Sequence, residues 1–230
     1  MRSQPVTDTA ILVFANSANK DSHTKKIGVH ATLFDALNKH TLKIVRASRL
    51  PYFHFTEREQ HGETFGERFT HAIQSVFDEG FANIIAIGND SPQLKTQHLL
   101  ETYHQLQQGN TVLGPAVDGG FYLLGLHASN FHQDSFKALP WQVTSLFSAT
   151  KHYFEAFGCR VFSLNRLLDI DSASDIKRLS NHTTTLVDGW LSLFSKLIGQ
   201  SMEFLVFRRI MTKNIFLFIP FNKGSPILFA

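Results

Sequence analysis

The alternation of short apolar runs with amphipathic stretches, from residue 10 to residue 180, most constrains how the chain can fold. AILVFA at Ala10–Ala15 and IIAI at Ile84–Ile87 are short and continuously apolar, which is typical of strands buried on both faces. FGERFTHAIQSVF at Phe65–Phe77 repeats its apolar residues with the spacing of one helical face. Strands that alternate with helices predict an α/β domain with a mostly parallel central sheet.

The same reading predicts the other elements of this domain. We expect further strands at Leu42–Val45, Thr111–Leu113, Phe121–Leu126 and Val161–Leu164, and an extended segment at Pro51–Phe55. Further helices are expected at Leu94–Leu106, at Phe147–Phe157 and after Ser172, where Asp175 completes an approximate capping box.

Composition and charge exclude several classes of protein. Hydrophobic residues make up 43% of the 230, so the chain can bury a sizeable core, and the single cysteine, Cys159, fits a reducing compartment. Residues 1–180 hold 17 basic and 17 acidic residues, so nothing suggests a nucleic-acid partner. Apolar runs are too short for a signal peptide or a membrane span. We therefore expect a cytoplasmic protein.

The last part of the chain differs from the rest. We place a domain at residues 1–182 and a C-terminal appendage at 183–230, which holds 5 basic and 2 acidic residues. Trp190–Ile210 has aromatic and apolar residues at helical spacing, followed by IFLFIPF at Ile215–Phe221. This tail is expected to pack back on the domain, to lie on the inner face of a membrane, or to pair with a partner or a second copy.

Three acidic motifs follow predicted strands. Gly88-Asn89-Asp90 comes directly after IIAI, Asp118-Gly119-Gly120 follows the strand at Thr111–Leu113, and the DID motif at Asp169–Asp171 comes after Val161–Leu164. Ligands of open α/β sheets bind beyond the carboxyl ends of the strands. Carboxylates that meet there suit Mg²⁺ or Mn²⁺, which prefer oxygen ligands. Each acid also has a structural interpretation, as a turn, cap or loop residue.

The stretch LGPAVDGGFYLLGL at Leu113–Leu126 admits two interpretations. Asp-Gly between apolar runs is a strong hairpin signal, so Asp118 and its glycines can simply form a turn. Alternatively, Asp118 contacts a ligand at the edge of the sheet. Trp141 is open in the same way, either as a core residue or as a ring that stacks on a sugar or base.

Four motifs occur in an order that resembles a known family. GNDSPQL at Gly88–Leu94, the long DGG stretch, LPW at Leu139–Trp141 and DIDSASDI at Asp169–Ile176 together resemble the DUF2064 family of the GT-A glycosyltransferase-like superfamily. FGERF at Phe65–Phe69 is similar to the start of a helix in that family. The resemblance covers about residues 10–180 and implies a Rossmann-like nucleotide-diphospho-sugar transferase fold.

The resemblance also implies roles for individual residues. Asp90 and Asp171 would hold the divalent metal, and Asp90 and Asp118 would be the catalytic acids. The substrate and nucleotide would contact residues of four segments: Ala15, Asn16, Lys20 and Lys26; Gly88 and Asn89; Pro115, Gly119 and Gly120; and Trp141.

One segment departs from the family. The loop after the first strand normally carries Pro and Gly, but here it reads ANSANKDSHTKKI at Ala15–Ile27. A phosphate cradle uses glycine so that backbone N–H groups converge on the oxygens. Lys20, Lys25 and Lys26 could contact phosphates instead, or the loop is simply solvated.

Three functions are consistent with these features. The first is a metal-dependent glycosyltransferase that uses a nucleotide sugar. The second is a nucleotidyltransferase acting on a phosphorylated acceptor, which the glycine-poor first loop disfavours. The third is a non-catalytic GT-A-like binding protein in which the tail is the working part.

Overall fold

The computed structural model describes residues 7–24, 31–181 and 189–198. The chain divides into two units, Met1–Asp175 and Ile176–Ala230, and the domain boundary at residue 182 stays a prediction. Six strands form one sheet: β1 (Thr9–Phe14), β2 (Tyr52–Phe55), β3 (Asn83–Ile87), β4 (Thr111–Pro115), β5 (Phe121–His127) and β6 (Val161–Ser163). The helices are α1 (Ala18–Thr24), α2 (Ala31–Ser48), α3 (Phe65–Asp78), α4 (Thr96–Gln107), α5 (Gln133–Lys137), α6 (Leu146–Ala156), α7 (Ala173–Asn181) and α8 (Trp190–Ile198), and a 3₁₀ turn lies at Ala128–Asn130.

The sheet has the order β2-β1-β3-β5-β4-β6. Strand β1 pairs in parallel with β2 and β3, and β4 pairs in parallel with β6, whereas β5 is antiparallel to both of its neighbours. Five strands therefore run in one direction, which confirms the mostly parallel Rossmann-like sheet. The carboxyl ends of β1, β3 and β4 consequently lie at one edge.

Helices cover both faces of the sheet. Along β1, Ile11 and Val13 belong to one apolar core with residues of α2 and α4, and Ala10 and Leu12 belong to another with residues of α3, α5 and α6. Successive side chains of a strand point to opposite faces, so a strand with two covered faces has to be apolar throughout. This explains the uninterrupted run in AILVFA.

The prediction of a strand at Leu42–Val45 is wrong, because these residues lie in α2. The buried positions of this segment recur every three or four residues, which is the period of a helical face: Leu33, Phe34, Leu37, Thr41, Ile44 and Val45. A stretch this short, with three apolar residues around Lys43, cannot be told from a piece of buried helix by its pattern alone.

Helix α3 begins with a complete capping box. The Glu67 backbone N–H donates to Thr64 Oγ1 over 3.2 Å, and the Thr64 backbone N–H donates to Glu67 Oε2 over 3.1 Å. Such caps stabilise a helix end by about 1 kcal/mol. The box fixes where the helix starts, and so where Phe65, Arg68 and Phe69 lie.

In the second unit, α8 carries Trp190 and Phe194 one turn apart, with ring centroids 5.6 Å from each other. Of the helices that the structure describes, none is long and apolar enough to cross a membrane. Residues 199–230 lie outside the described part of the chain, so membrane contact or pairing through the tail stays a prediction.

Candidate active site

A pocket of about 430 Å³ lies at the carboxyl edge of the sheet. Its volume is in the range of small-molecule sites. Among its described lining residues, Arg68 carries the single basic side chain. Five carboxylates line the pocket: Asp21, Asp90, Asp118, Asp169 and Asp171. The predicted site residues Ala15, Asn16, Gly88, Asn89, Gly120 and Trp141 line it as well. The motifs that follow separate strands therefore meet in one place.

The loop after β3 carries Gly88, Asn89 and Asp90. A Cβ at Gly88 would lie 3.1 Å from Asp90 Oδ1, so the small residue leaves room for the carboxylate to fold back along the loop. The next residues form a turn, with the Leu94 backbone N–H donating to the Ser91 carbonyl over 3.0 Å. Asp90 is thus held close to the strand end.

The DID loop is fastened to the loop after β3. The Ile170 backbone N–H donates to the Asp90 carbonyl over 2.9 Å, and the Ser91 hydroxyl donates to Asp169 Oδ1. Burial raises the pKa of Asp169 well above its ordinary value, and the nearby charge of Asp90 raises it further. Asp171, at the exposed end of the loop, also lines the pocket.

Asp169 was a member of the DID motif but was not among the predicted site residues. Its proximity to Asp90 depends on a contact between residues 78 positions apart, which the sequence does not reveal. The neighbouring Tyr122 also lines the pocket, and burial, followed by the charge of Asp169, raises the pKa of its phenol. The Tyr122 hydroxyl donates to the Asn165 carbonyl over 3.0 Å.

The DGG stretch is a hairpin turn that also faces the pocket. It joins β4 to β5, with the Ala116 backbone N–H donating to the Gly120 carbonyl over 3.0 Å. The Gly120 backbone N–H donates to Asp118 Oδ1 over 2.9 Å, which fixes the exposed Asp118 carboxylate. Both interpretations of the sequence are therefore compatible, since a turn residue occupies the rim of the pocket.

Gly119 packs against a second loop, which follows Trp141. Its φ is +96°, and a Cβ on it would lie 2.0 Å from the Thr144 carbonyl oxygen. The Phe147 backbone N–H also donates to the Gly119 carbonyl over 2.9 Å. Gly119 therefore packs the turn against the loop at Thr144 and does not itself line the pocket.

Side-chain amides join the first loop to the loop after β3. Asp21 is 3% exposed, and the Asn16 amide donates to its Oδ1 over 2.9 Å. The Asn89 amide donates to Asn38 Oδ1 over 2.7 Å and to Asp21 Oδ2 over 3.4 Å. This network holds Asn16 and Asn89 at the pocket in fixed orientations. Asp21 was not predicted as a site residue, because nothing in its local sequence indicates burial.

The glycine-poor first loop uses an internal anion. Glu57 accepts from the Ser17 backbone N–H over 2.7 Å and from the Ser17 hydroxyl over 2.6 Å. These hydrogen bonds lower the pKa of Glu57. The donors at the start of the loop are thus occupied by a carboxylate of the chain itself.

The remaining predicted residues lie elsewhere. Lys20 is exposed on α1 and is not part of the pocket lining. Pro115 is buried in β4, where its carbonyl accepts from the Leu167 backbone N–H over 3.0 Å. Lys26 lies outside the described residues. Within the described ranges, no group of three or more His, Cys, Asp or Glu residues has the arrangement of a metal site.

The fold is similar to that of a candidate nucleotide-diphospho-sugar transferase from Desulfovibrio desulfuricans G20. The two chains are 20% identical, with a TM-score of 0.66, and the match covers 92% of this chain and 97% of that one. This similarity shows the fold alone.

Two further solved structures match more weakly. Rv0371c from Mycobacterium tuberculosis H37Rv, in complex with manganese, is 13% identical, has a TM-score of 0.42, and matches over 74% of this chain and 96% of its own. A cytidylyltransferase from Leptospira borgpetersenii serovar Hardjo-bovis is 11% identical, has a TM-score of 0.44, and matches over 96% of this chain and 100% of its own. Neither likeness is strong enough to bear on function.

No curated protein matches the chain significantly. A family model does match: DUF2064, described as an uncharacterized protein conserved in bacteria, matches residues 26–143. These 118 residues are just over half of the 230. The chain therefore belongs to the DUF2064 family.

Proposed function

We propose that this protein is a metal-dependent glycosyltransferase that uses a nucleotide-diphosphate sugar. One observation carries the proposal: four carboxylates from three separate segments surround one pocket at the carboxyl edge of a Rossmann-like sheet. They are Asp90, Asp118, Asp169 and Asp171. Carboxylates that only stabilise turns or cap helices would not be expected to line the same cavity.

The charge of the pocket supports a divalent cation. The charges of Asp90, Asp118 and Asp171 all raise the pKa of Asp169, so each of the three repels a negative charge at Asp169. A nucleoside diphosphate would meet the same repulsion unless a cation neutralised it. Asp90 and Asp171 would hold Mg²⁺ or Mn²⁺, because Mg²⁺ typically takes one or two carboxylates together with substrate phosphates. When bound, such a cation stabilises the negative charge of the departing nucleoside diphosphate.

Asp118 is suited to act on the hydroxyl that attacks the sugar. Its Oδ1 accepts from the Gly120 backbone N–H, whereas Oδ2 has no partner among the described residues. Oδ2 can accept the hydroxyl proton while the hydroxyl oxygen bonds to the anomeric carbon. The bond from that carbon to the diphosphate oxygen then breaks, and the nucleoside diphosphate leaves with the electron pair.

Asn16 and Asn89 would bind the nucleoside. Both line the pocket, and both amides are oriented by Asp21. A polar wall that is already ordered loses little entropy when it binds the hydroxyl groups of a ribose or the edge of a base.

Nucleotidyl transfer from a triphosphate is the weaker alternative. Such an enzyme has to hold three phosphates, and the backbone N–H of Ser17 at the first loop would be the expected donor. Glu57 already accepts from that N–H and from the Ser17 hydroxyl, and its negative charge would repel a phosphate placed there. This contact favours a donor whose diphosphate is bound at the acidic side of the pocket.

Thermal denaturation of the purified full chain would test the proposal. Each nucleoside diphosphate and nucleotide sugar is added with Mn²⁺, with Mg²⁺ or with EDTA, beside controls that contain the metal alone. A rise in Tm that needs both the metal and one particular nucleotide is expected, and it would identify the base of the donor. If no nucleotide raises Tm beyond the metal controls, the proposal is wrong.

A further inference from the structure

The pocket has a second wall that the proposed chemistry does not use. Of the six described aromatic side chains that line the pocket, all but Tyr122 form this wall: Phe14, Phe65, Phe69, Phe121 and Trp141. Their ring centroids are close to one another, with Phe14 5.1 Å from Phe69 and Trp141 5.4 Å from Phe65, 5.6 Å from Phe69 and 6.0 Å from Phe121. The aromatic rings thus form one continuous apolar wall. A diphosphate is polar throughout and gains nothing from such a wall, and a single sugar ring would cover only part of it.

Trp141 is held rigidly in this wall. Its Cδ1 would be 2.4 Å from a Cβ at Gly66, so the indole lies directly on the backbone of α3, where only glycine leaves room. The indole N–H donates to the Lys137 carbonyl over 3.1 Å. The next residue, Gln142, lines the pocket and has φ of 62°, a conformation that costs a residue with a side chain about 1–2 kcal/mol. Such strain is common where a loop is held for binding.

Arg68 places one positive charge at the aromatic wall. It lies on α3 between Phe65 and Phe69, and it is the only basic residue among the described residues of the lining. One of its N–H groups donates to the Glu63 carbonyl over 2.8 Å. Its other donors have no partner among the described residues, and a guanidinium binds a carboxylate or phosphate through two parallel hydrogen bonds.

We infer that this wall is the acceptor subsite and that it binds a planar, ring-bearing molecule with an anionic group. The rings would pack on the body of the acceptor, and Arg68 would bind its carboxylate or phosphate. The acceptor's hydroxyl would then face Asp118. The assignment of this molecule as the acceptor rests on the proposed glycosyl transfer. The prediction that the wall binds such a molecule is independent of it.

Binding can be measured without metal or nucleotide. The chain has two tryptophans, so Trp190→Phe leaves Trp141 as the sole source of tryptophan emission. The probes are 2-naphthoate, its neutral analogue 2-naphthalenemethanol, and glucose 1-phosphate, an anion with no apolar ring. We expect saturable quenching by 2-naphthoate, with a Kd at least fivefold lower than for either of the other two.

Arg68→Gln in the same background should raise the Kd for 2-naphthoate about tenfold, since a charge-assisted hydrogen bond is lost. Arg58→Gln is the matched control, because Arg58 is exposed and lies outside the pocket lining. With Mn²⁺ present, saturating UDP, ADP, CDP and GDP, tested separately, should leave the Kd for 2-naphthoate unchanged, because the donor has its own half of the pocket.

Three results would overturn the inference. The first is that glucose 1-phosphate binds as tightly as 2-naphthoate or more tightly. The second is that Arg68→Gln binds 2-naphthoate as tightly as the Arg58→Gln control. The third is that a nucleotide displaces 2-naphthoate, which would mean that the wall holds the base. These outcomes do not depend on the proposed function. A protein that binds 2-naphthoate through Arg68 and yet binds no nucleotide with metal would keep the subsite and lose the glycosyltransferase.

Discussion

Replacing Gly119 with alanine should destabilise the protein considerably more than the same change at Gly120. Gly119 has φ of +96°, where a Cβ costs about 1–2 kcal/mol. The new Cβ would lie 2.0 Å from the Thr144 carbonyl oxygen, so one of the two loops must move. That movement would weaken or break the hydrogen bond from the Phe147 backbone N–H to the Gly119 carbonyl, which contributes about 1 kcal/mol. Together these effects predict a loss of about 2–3 kcal/mol.

Gly120→Ala is the matched control in the same turn. Gly120 does not have a positive φ, and its new Cβ would meet Asp118 Oδ1 at 3.2 Å, which a small shift of the carboxylate relieves. We expect a loss below about 1 kcal/mol. Urea unfolding of both variants measures the difference, and Tm should fall by roughly 4–12 °C for Gly119→Ala. Equal losses in the two variants would refute the packing of the DGG turn against the loop at Thr144.

Three other predictions concern charge and strain. Burial and Asp90 raise the pKa of Asp169, so the folded chain binds this proton more tightly than the unfolded chain. In metal-free protein, ionisation of Asp169 should therefore lower the unfolding free energy as pH rises above about 4. Asp169→Asn should make this decline shallower, which urea unfolding across a pH series would measure. Parallel curves for the variant and the wild type would contradict the prediction. Hydrogen bonds from Ser17 lower the pKa of Glu57, so its stabilisation is present above its unfolded pKa of about 4.3 and is lost as pH falls. Because solvent screens this contact, Glu57→Gln should lower the unfolding free energy by only about 0.5 kcal/mol at pH 7. A decrease above about 2 kcal/mol would contradict a screened contact. Gln142→Gly should raise the unfolding free energy by up to about 1 kcal/mol in the same assay, because it relieves φ of 62°, and a clear loss would show that the side chain contributes more than the strain costs.

The elements that sequence predicts well are those whose burial pattern is complete within a short stretch. β1 and β3 are covered on both faces, so their apolar runs stand out from the amphipathic segments around them. The helix at α3 combines a clear apolar face with a capping box, which marks its start. The strand prediction at Leu42–Val45 was wrong because these four residues, three of them apolar, are only a short piece of an 18-residue helix.

The candidate site was predictable where its residues follow strands. Asp90, Asp118 and Asp171 could be placed together because the carboxyl ends of parallel strands share an edge. The contribution of Asp21, Glu57 and Arg68 could not be foreseen in this way. Asp21 meets Asn89 across 68 positions and Glu57 meets Ser17 across 40, and such contacts arise only when the chain has folded.

The full excess of negative charge in the pocket, and its aromatic rings, became visible only in the structure. The first 180 residues hold equal numbers of acidic and basic residues, yet the pocket gathers five carboxylates and one guanidinium among its described lining. The 22 phenylalanines are spread along the chain, and four of them line this cavity together with Trp141. Composition averages over the whole surface and therefore conceals a local excess of charge.

The central claim is that Asp90 helps to bind a metal and a nucleotide together. Isothermal titration calorimetry would measure the affinity of the nucleotide that raises Tm most, with Mn²⁺ present, for the wild type, Asp90→Asn and the control Asp134→Asn. Asp134 is fully exposed and lies outside this pocket. We expect the Kd to rise by at least tenfold for Asp90→Asn and to stay unchanged for the control, with all three proteins equally folded by circular dichroism. Equal affinity in Asp90→Asn and the wild type would contradict the account.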